Sequence, residues 1–233
     1  MSKMKSIYVA LDNMSKEDIY AFLERSNNEI VCVKIGLELF NLYGRDFVEE
    51  IYNKYKVDIF LDLKLHDIPN TVSKAIRSLK GLPIKFLTLH LSGGINMLKA
   101  SVEARNQFLP ECKLLGVSIL TSLDQKDIEK IWGISDNNKL FSNLFQLAHE
   151  SQVDGVVCSP NELMILNGLN LNLLSMCPGI RFDDEIKEAN FGDQKRVLSP
   201  EKALEKGASF LVMGRSLTQS KVLTERIQLL KSM

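Results

Sequence analysis

The sequence predicts an α/β protein: a single (β/α)8 barrel over residues 1–233, with eight parallel strands ringed by helices. Three observations predict it. Eight short, β-branched, apolar runs alternate with longer amphipathic runs. That alternation implies right-handed βαβ crossovers and hence a parallel sheet. The 233 residues suit one barrel-sized domain, and no composition shift or low-complexity segment divides them. A doubly wound open sheet is the rival arrangement.

In chain order, the strand-like runs are Ile7–Asp12, Ile30–Gly36, Asp58–Lys64, Phe86–Ser92, Lys113–Ser122, Gly155–Pro160, Leu173–Ile180 and Ser209–Arg215. Helical periodicity fills the intervals at Lys16–Ser26, Leu37–Tyr55, Thr71–Leu82, Ile95–Phe108, a long region Gln125–Ser151, a short Asn161–Leu166, Ser199–Lys206 and Leu217–Leu230. The one extended polar stretch, Arg181–Arg196, lies between the seventh strand and the seventh helix. A loop of that length is expected to be mobile and functional.

Composition removes several function classes. Hydrophobic residues make up 45% and charged residues 25%, and 29 Lys+Arg balance 29 Asp+Glu. Zero net charge supplies no global positive field, so a general nucleic-acid or acidic-membrane binder is not expected. No run approaches the ~20 apolar residues of a membrane helix. The run Ile7–Leu11 is too short for a signal-peptide core and is ended by Asp12. Cys32, Cys112, Cys158 and Cys177 form no CxxC pair, which points to reduced, buried thiols in a cytoplasmic protein.

In such barrels the chemistry gathers at the C-terminal ends of the strands. Here those ends are polar: Asp12, Lys34, Asp62-Leu63-Lys64, His90 to Gly94, Thr121-Ser122, Pro178 to Arg181, and Gly214-Arg215-Ser216. Mixed charges on several neighbouring strand ends point to a converging ionic site. Asp62 and Lys64, at i and i+2, share a strand face that looks into the barrel. A lysine buried there needs a carboxylate partner. Lys34, Asp62, Lys64 and Asp67 could therefore form an alternating row. A salt-bridge network that merely closes the barrel top is the structural alternative. Met213 to Ser216 reads as an anion site, because a glycine at a helix start lets backbone N–H groups approach and Arg215 adds bidentate donors. His66, His90 and His149 are scattered without HxH or HExxH spacing, so no dedicated metal site is expected. His90 reads at least as well as a hydrogen-bonded core residue as a catalytic one.

The segment Asp62-Leu63-Lys64-Leu65-His66-Asp67-Ile68-Pro69-Asn70-Thr71-Val72 resembles the bacterial orotidine 5′-phosphate decarboxylase family. The resemblance spans nearly the whole chain. It continues through Val9–Asp12, Val33–Gly36, His90–Gly94, Leu120–Ser122, Pro178–Arg181, Gly192–Val197 and Gly214-Arg215. DxKxxD is shared with other sugar-phosphate enzymes, whereas DIPNTV, Lys34 and the later DQ-x-RV are more specific. Departures are small: Leu65 and Phe182 fall at variable-looking positions, and Cys177 stands where Thr is common.

The resemblance implies decarboxylation of orotidine 5′-monophosphate to UMP and CO2, the last step of de novo pyrimidine nucleotide synthesis. It implies a cytoplasmic homodimer whose active sites are shared across the interface, with no cofactor. Lys64 would protonate C6 as CO2 leaves, flanked by Asp62 and Asp67, with Lys34 completing the charge row. Asp67 and Thr71 would reach the partner's site. Asp12 and Lys34 would hold the ribose hydroxyls, and Ser122 with Thr121 would face the pyrimidine. Pro178 would join the substrate-binding set, and Arg181, Gln194, Gly214 and Arg215 would bind the phosphate under the Arg181–Arg196 loop. The rivals are a metal-dependent sugar-phosphate decarboxylase or aldolase, and a non-catalytic barrel that binds a phosphorylated ligand. The first typically carries an acidic metal ligand where this chain has Lys34.

Overall fold

The computed structural model describes residues 3–187 and 197–233. Strands β1 (Ile7–Ala10), β2 (Cys32–Gly36), β3 (Asp58–Leu65), β4 (Ile84–His90), β5 (Lys113–Val117), β6 (Gly155–Val157), β7 (Leu174–Cys177) and β8 (Phe210–Met213) pair in sequence order. All pairings are parallel, and β1 also pairs β8, which closes the barrel. The open-sheet rival is thereby excluded.

The helices are α1 (Lys16–Arg25), α2 (Leu37–Tyr55), α3 (Pro69–Ser78), α4 (Gly94–Phe108), α5 (Gln125–Trp132), α6 (Asn137–Glu150), α7 (Leu163–Gly168), α8 (Asp183–Lys187), α9 (Pro200–Glu205), α10 (Arg215–Thr218) and α11 (Leu223–Ser232). The long region expected at Gln125–Ser151 is two helices. Gly133 takes a left-handed φ of 66° and returns its N–H to Glu129, ending α5. Asp136 then accepts from the Lys139 N–H and starts α6. The last helix is likewise divided into α10 and α11. The third helix begins at Pro69, whose missing N–H costs nothing in a first turn. Several strands stop short of their expected ends: β1 ends before Asp12, β5 before Ser122 and β8 before Gly214. Their polar last residues leave the ladder and become the rim.

Two apolar layers stabilise the fold. One fills the space between strands and helices, with Val33, Ile35, Leu61, Leu87, Leu89 and Leu114 facing outward against the helices. The other fills the barrel's interior with Tyr8, Cys32, Phe60, Phe86, Leu115, Met176 and Val212. Edge-to-face ring contacts order this plug, with Tyr8–Phe86 centroids at 5.5 Å and Phe86–Phe210 at 5.0 Å. All four cysteines are buried free thiols. Burial pushes Cys32 and Cys112 up to about 12, so both stay protonated and unreactive at neutral pH. Among the described residues, no helix is long and apolar enough to cross a membrane.

Candidate active site

The alternation of a strand carries each interior column from apolar floor to polar rim. On the first four strands the columns run Tyr8, Ala10, Asp12; Cys32, Lys34, Gly36; Phe60, Asp62, Lys64; and Phe86, Thr88, His90. Above the aromatic plug lies a cavity of about 310 Å³, at the small end of ligand sites. Phe60, Val117, Val157 and Val212 form its apolar base, and Ile119 and Leu120 extend one wall.

The structure brings nine of the expected site residues to this cavity: Asp12, Lys34, Asp62, Lys64, Thr121, Pro178, Arg181, Gly214 and Arg215. Ser122, beside Thr121, is exposed and does not line it. Asp67 and Thr71 are also exposed and outside it. The Asp67 carboxylate accepts from the Ile68 N–H at 2.7 Å, and Thr71 lies in the first turn of α3. Gln194, and with it residues 188–196 of the expected loop, lies outside the described residues.

Within the chain the charge row reads Asp12, Lys34, Asp62, Lys64. Lys34 Nζ is 2.5 Å from Asp12 Oδ2 and 3.6 Å from Asp62 Oδ2, and Lys64 Nζ is 2.7 Å from the same Asp62 oxygen. Lys34 and Asp62 are buried, and Lys64 and Asp12 open toward the cavity. Burial alone raises the Asp62 carboxyl; the Lys34 and Lys64 ammonium groups and the Thr88 hydroxyl outweigh it and hold the group below its ordinary value. Gly36 makes room for this arrangement: a Cβ there would stand 2.4 Å from Asp12 Oδ1 and 3.1 Å from Lys34 Nζ.

Lys64 is set by a break in the sheet register. Leu61 pairs with Leu87, but Leu65 already pairs with Leu89, so Asp62–Lys64 bulge from the ladder. Lys64 takes φ 48°, a left-handed conformation that costs a non-glycine residue about 1–3 kcal/mol and concentrates at functional sites. Simple i, i+2 alternation anticipated the Asp62–Lys64 contact but not this bulge. It also gave no role to Thr88, whose sequence signal is a lone hydroxyl between Phe86 and His90 on an interior strand face.

The His90 and His66 rings lie 5.1 Å apart. Burial, then the neighbouring His66 and Lys64, holds the His90 imidazole below its ordinary range, so it rests neutral at pH 7. Among the described residues, no group of three or more His, Cys, Asp or Glu side chains is arranged to hold a metal ion.

The opposite side of the cavity is cationic. Arg181 is buried, and its Nη1 donates to the buried Ser216 hydroxyl at 2.9 Å. That bond ties the start of the polar stretch to α10. The stretch's two stems are also held together, since Ile180 bridges Leu198 and the Arg181 N–H donates to the Leu198 carbonyl. Arg226 braces the near stem through Asp184 at 3.0 Å and over the Phe182 ring at 4.5 Å. Because α10 has only four residues, it aligns few peptide dipoles. The positive charge of this wall therefore comes mainly from the Arg181 and Arg215 guanidinium groups.

Comparison with known proteins supplies the remaining observation. The model of the "Orotidine 5′-phosphate decarboxylase / HUMPS family" matches residues 5–228. Orotidine 5′-phosphate decarboxylase of Vibrio atlanticus is 39% identical over 218 residues, which cover 93% of this chain and 92% of that protein. The enzyme of the same name from Opitutus terrae is 40% identical over 213 residues, covering 91% and 90%. The crystal structure of orotidine 5′-phosphate decarboxylase from Lactobacillus acidophilus aligns with a TM-score of 0.80 at 31% identity, covering 97% of each chain.

Proposed function

The chain belongs to the orotidine 5′-phosphate decarboxylase / HUMPS family and decarboxylates orotidine 5′-monophosphate to UMP and CO2, and we propose that Lys64 stabilises and then protonates the C6 carbanion of that reaction. The observation that carries the proposal is the Lys64 ammonium, held 2.7 Å from a buried carboxylate at the edge of an otherwise closed-floored cavity.

Loss of CO2 leaves an electron pair in the plane of the pyrimidine at C6, where the ring cannot delocalise it. A fixed ammonium beside C6 favours that localised charge and then supplies the proton that makes the C6–H bond. Lys34 and Asp62 keep the ammonium's position and charge partners set before substrate arrives. Asp12 and Lys34 bind the ribose hydroxyls, while Thr121, Ser122 and Pro178 face the base. Arg181, Arg215 and Gly214 bind the phosphate, with Gln194 joining them. Phosphate binding far from the reacting bond supplies energy that orders the site around the base. Enzymatic accelerations reach about 10¹⁷-fold, roughly 23 kcal/mol, so the whole preorganised row must share the work.

No metal or organic cofactor enters this scheme. The Lys34 ammonium already occupies the space between Asp12 and Asp62 in which a divalent cation would have to sit. The working form is a homodimer in the cytoplasm, in which Asp67 and Thr71 complete the partner's site. Their exposure, together with 66% exposure of the intervening Ile68, supports that placement.

The test is ultraviolet-monitored conversion of orotidine 5′-monophosphate with excess EDTA present. The wild-type protein turns over, and Lys64→Ala loses nearly all kcat while keeping its fold. Substantial residual turnover in a folded Lys64→Ala protein would remove Lys64 as the proton donor.

A further inference from the structure

Thr88 is buried at mid-height of β4, between the aromatic floor and the rim. Its hydroxyl is used twice. It accepts the Lys64 backbone N–H at 2.9 Å and donates to Asp62 Oδ1 at 2.9 Å. Those bonds meet the two features that aim Lys64. The first is the left-handed backbone of the bulge, where Lys64 has left the ladder and its N–H has no strand partner in regular register. The second is the orientation of Asp62, whose other oxygen, Oδ2, takes both Lys64 Nζ at 2.7 Å and Lys34 Nζ at 3.6 Å. One carboxylate oxygen is thus reserved for the hydroxyl and the other for the two ammonium groups. One small side chain therefore ties the backbone of Lys64 to the carboxylate that holds its side chain.

We infer that Thr88 is a positioning residue for the decarboxylation, holding the Lys64 backbone and the Asp62 carboxylate in the geometry that delivers the ammonium to C6. The inference rests on the assignment of Lys64 as the proton donor. Thr88 is not among the residues that line the cavity, so it acts through Lys64 and Asp62 rather than on the substrate. An isosteric apolar side chain keeps the β-branched shape that suits the strand and removes both hydrogen bonds. Because Lys34 keeps its shorter contact to Asp12 and the phosphate-binding side of the cavity is untouched, the effect falls on turnover far more than on binding.

The experiment compares Thr88→Val, Thr88→Ala and Thr88→Ser with the wild type, measuring Tm, KM and kcat for orotidine 5′-monophosphate and the inhibition constant of UMP. Lys64→Ala is measured in parallel. The expected result for either hydroxyl-free variant is a kcat lowered about 10- to 100-fold, with KM and the UMP constant within about threefold of wild type. Thr88→Ser, which retains the hydroxyl, recovers kcat to within about threefold. A folded Thr88→Val or Thr88→Ala protein with wild-type kcat overturns the inference. So does a Thr88→Ser protein as slow as the hydroxyl-free variants, or a loss that appears in KM alone. The Lys64→Ala control separates the two assignments. If that variant is inactive while Thr88→Val runs at the wild-type rate, only the role of Thr88 fails; if Lys64→Ala itself turns over, the donor assignment fails with it.

Discussion

Asp62 takes charge from both sides, and its environment makes acid stability a readout of the row. Its folded-state carboxyl titrates below the ordinary value despite burial. A carboxyl depressed on folding contributes stability that is fully present above its unfolded value, about 3.9, and is lost as pH falls through the folded value. The expected outcome is a decline in unfolding free energy on acidification below about pH 4, shallower in Asp62→Asn than in the wild type. Urea titrations across that range check it; parallel declines would contradict the coupling. Arg215 makes a separate prediction on the other wall. Arg215→Ala should weaken UMP about 10- to 100-fold and uridine little, because a lost charge-assisted bond to phosphate costs about 1.5–3 kcal/mol. Competition assays with the two ligands check this, and equal losses for both would remove the phosphate role.

At the scale of elements, the junction of β2 and α2 couples backbone to site. Gly36 ends β2 and precedes α2 at the point where Asp12 reaches Lys34. A methyl there meets the Asp12 carboxylate well inside van der Waals distance, so Asp12 must turn away or β2 must shift. Gly36→Ala is expected to raise KM for orotidine 5′-monophosphate about tenfold, the equivalent of one lost hydrogen bond to a ribose hydroxyl, with a smaller change in kcat. Steady-state kinetics test it, and an unchanged KM would remove Asp12 from ribose binding. The β3 bulge works at the same scale. Two extra residues between Leu61 and Leu65 pull Lys64 out of register and leave its N–H to Thr88. Strand pattern in the sequence could not reveal this, since a bulge is defined by pairing with a neighbour rather than by the strand itself.

At the scale of the whole molecule, the cavity holds the row Asp12, Lys34, Asp62 and Lys64, whereas Asp67 and Thr71 are exposed and outside it. A shared site predicts complementation. Lys64→Ala and Asp67→Ala proteins, each nearly inactive alone, should regain activity when mixed under conditions that exchange subunits, because a hybrid dimer contains one site with both native residues. Mixing with no recovery, in protein shown by sedimentation to exchange, would place Asp67 within its own chain's function or outside function altogether.

How much was legible without the structure follows from what each feature depends on. The (β/α)8 class was readable because alternation of strand and helix runs is a local property. The polar strand ends were readable as well: period 2 predicts that Asp62 and Lys64 share a face, and the two remain in contact despite the bulge. Element boundaries were less legible: the helix break at Gly133 and Asp136 hides within continuous helical periodicity. Only the tertiary structure decided that Asp12 ends the charge row within the chain, that Asp67 lies outside the cavity, and that Thr88 joins Lys64 to Asp62. The physical reason is that side-chain type and periodicity are encoded locally. Contacts between Asp12 and Lys34, or between Thr88 and Asp62, form only when barrel closure and strand register bring residues more than twenty positions apart within hydrogen-bonding distance.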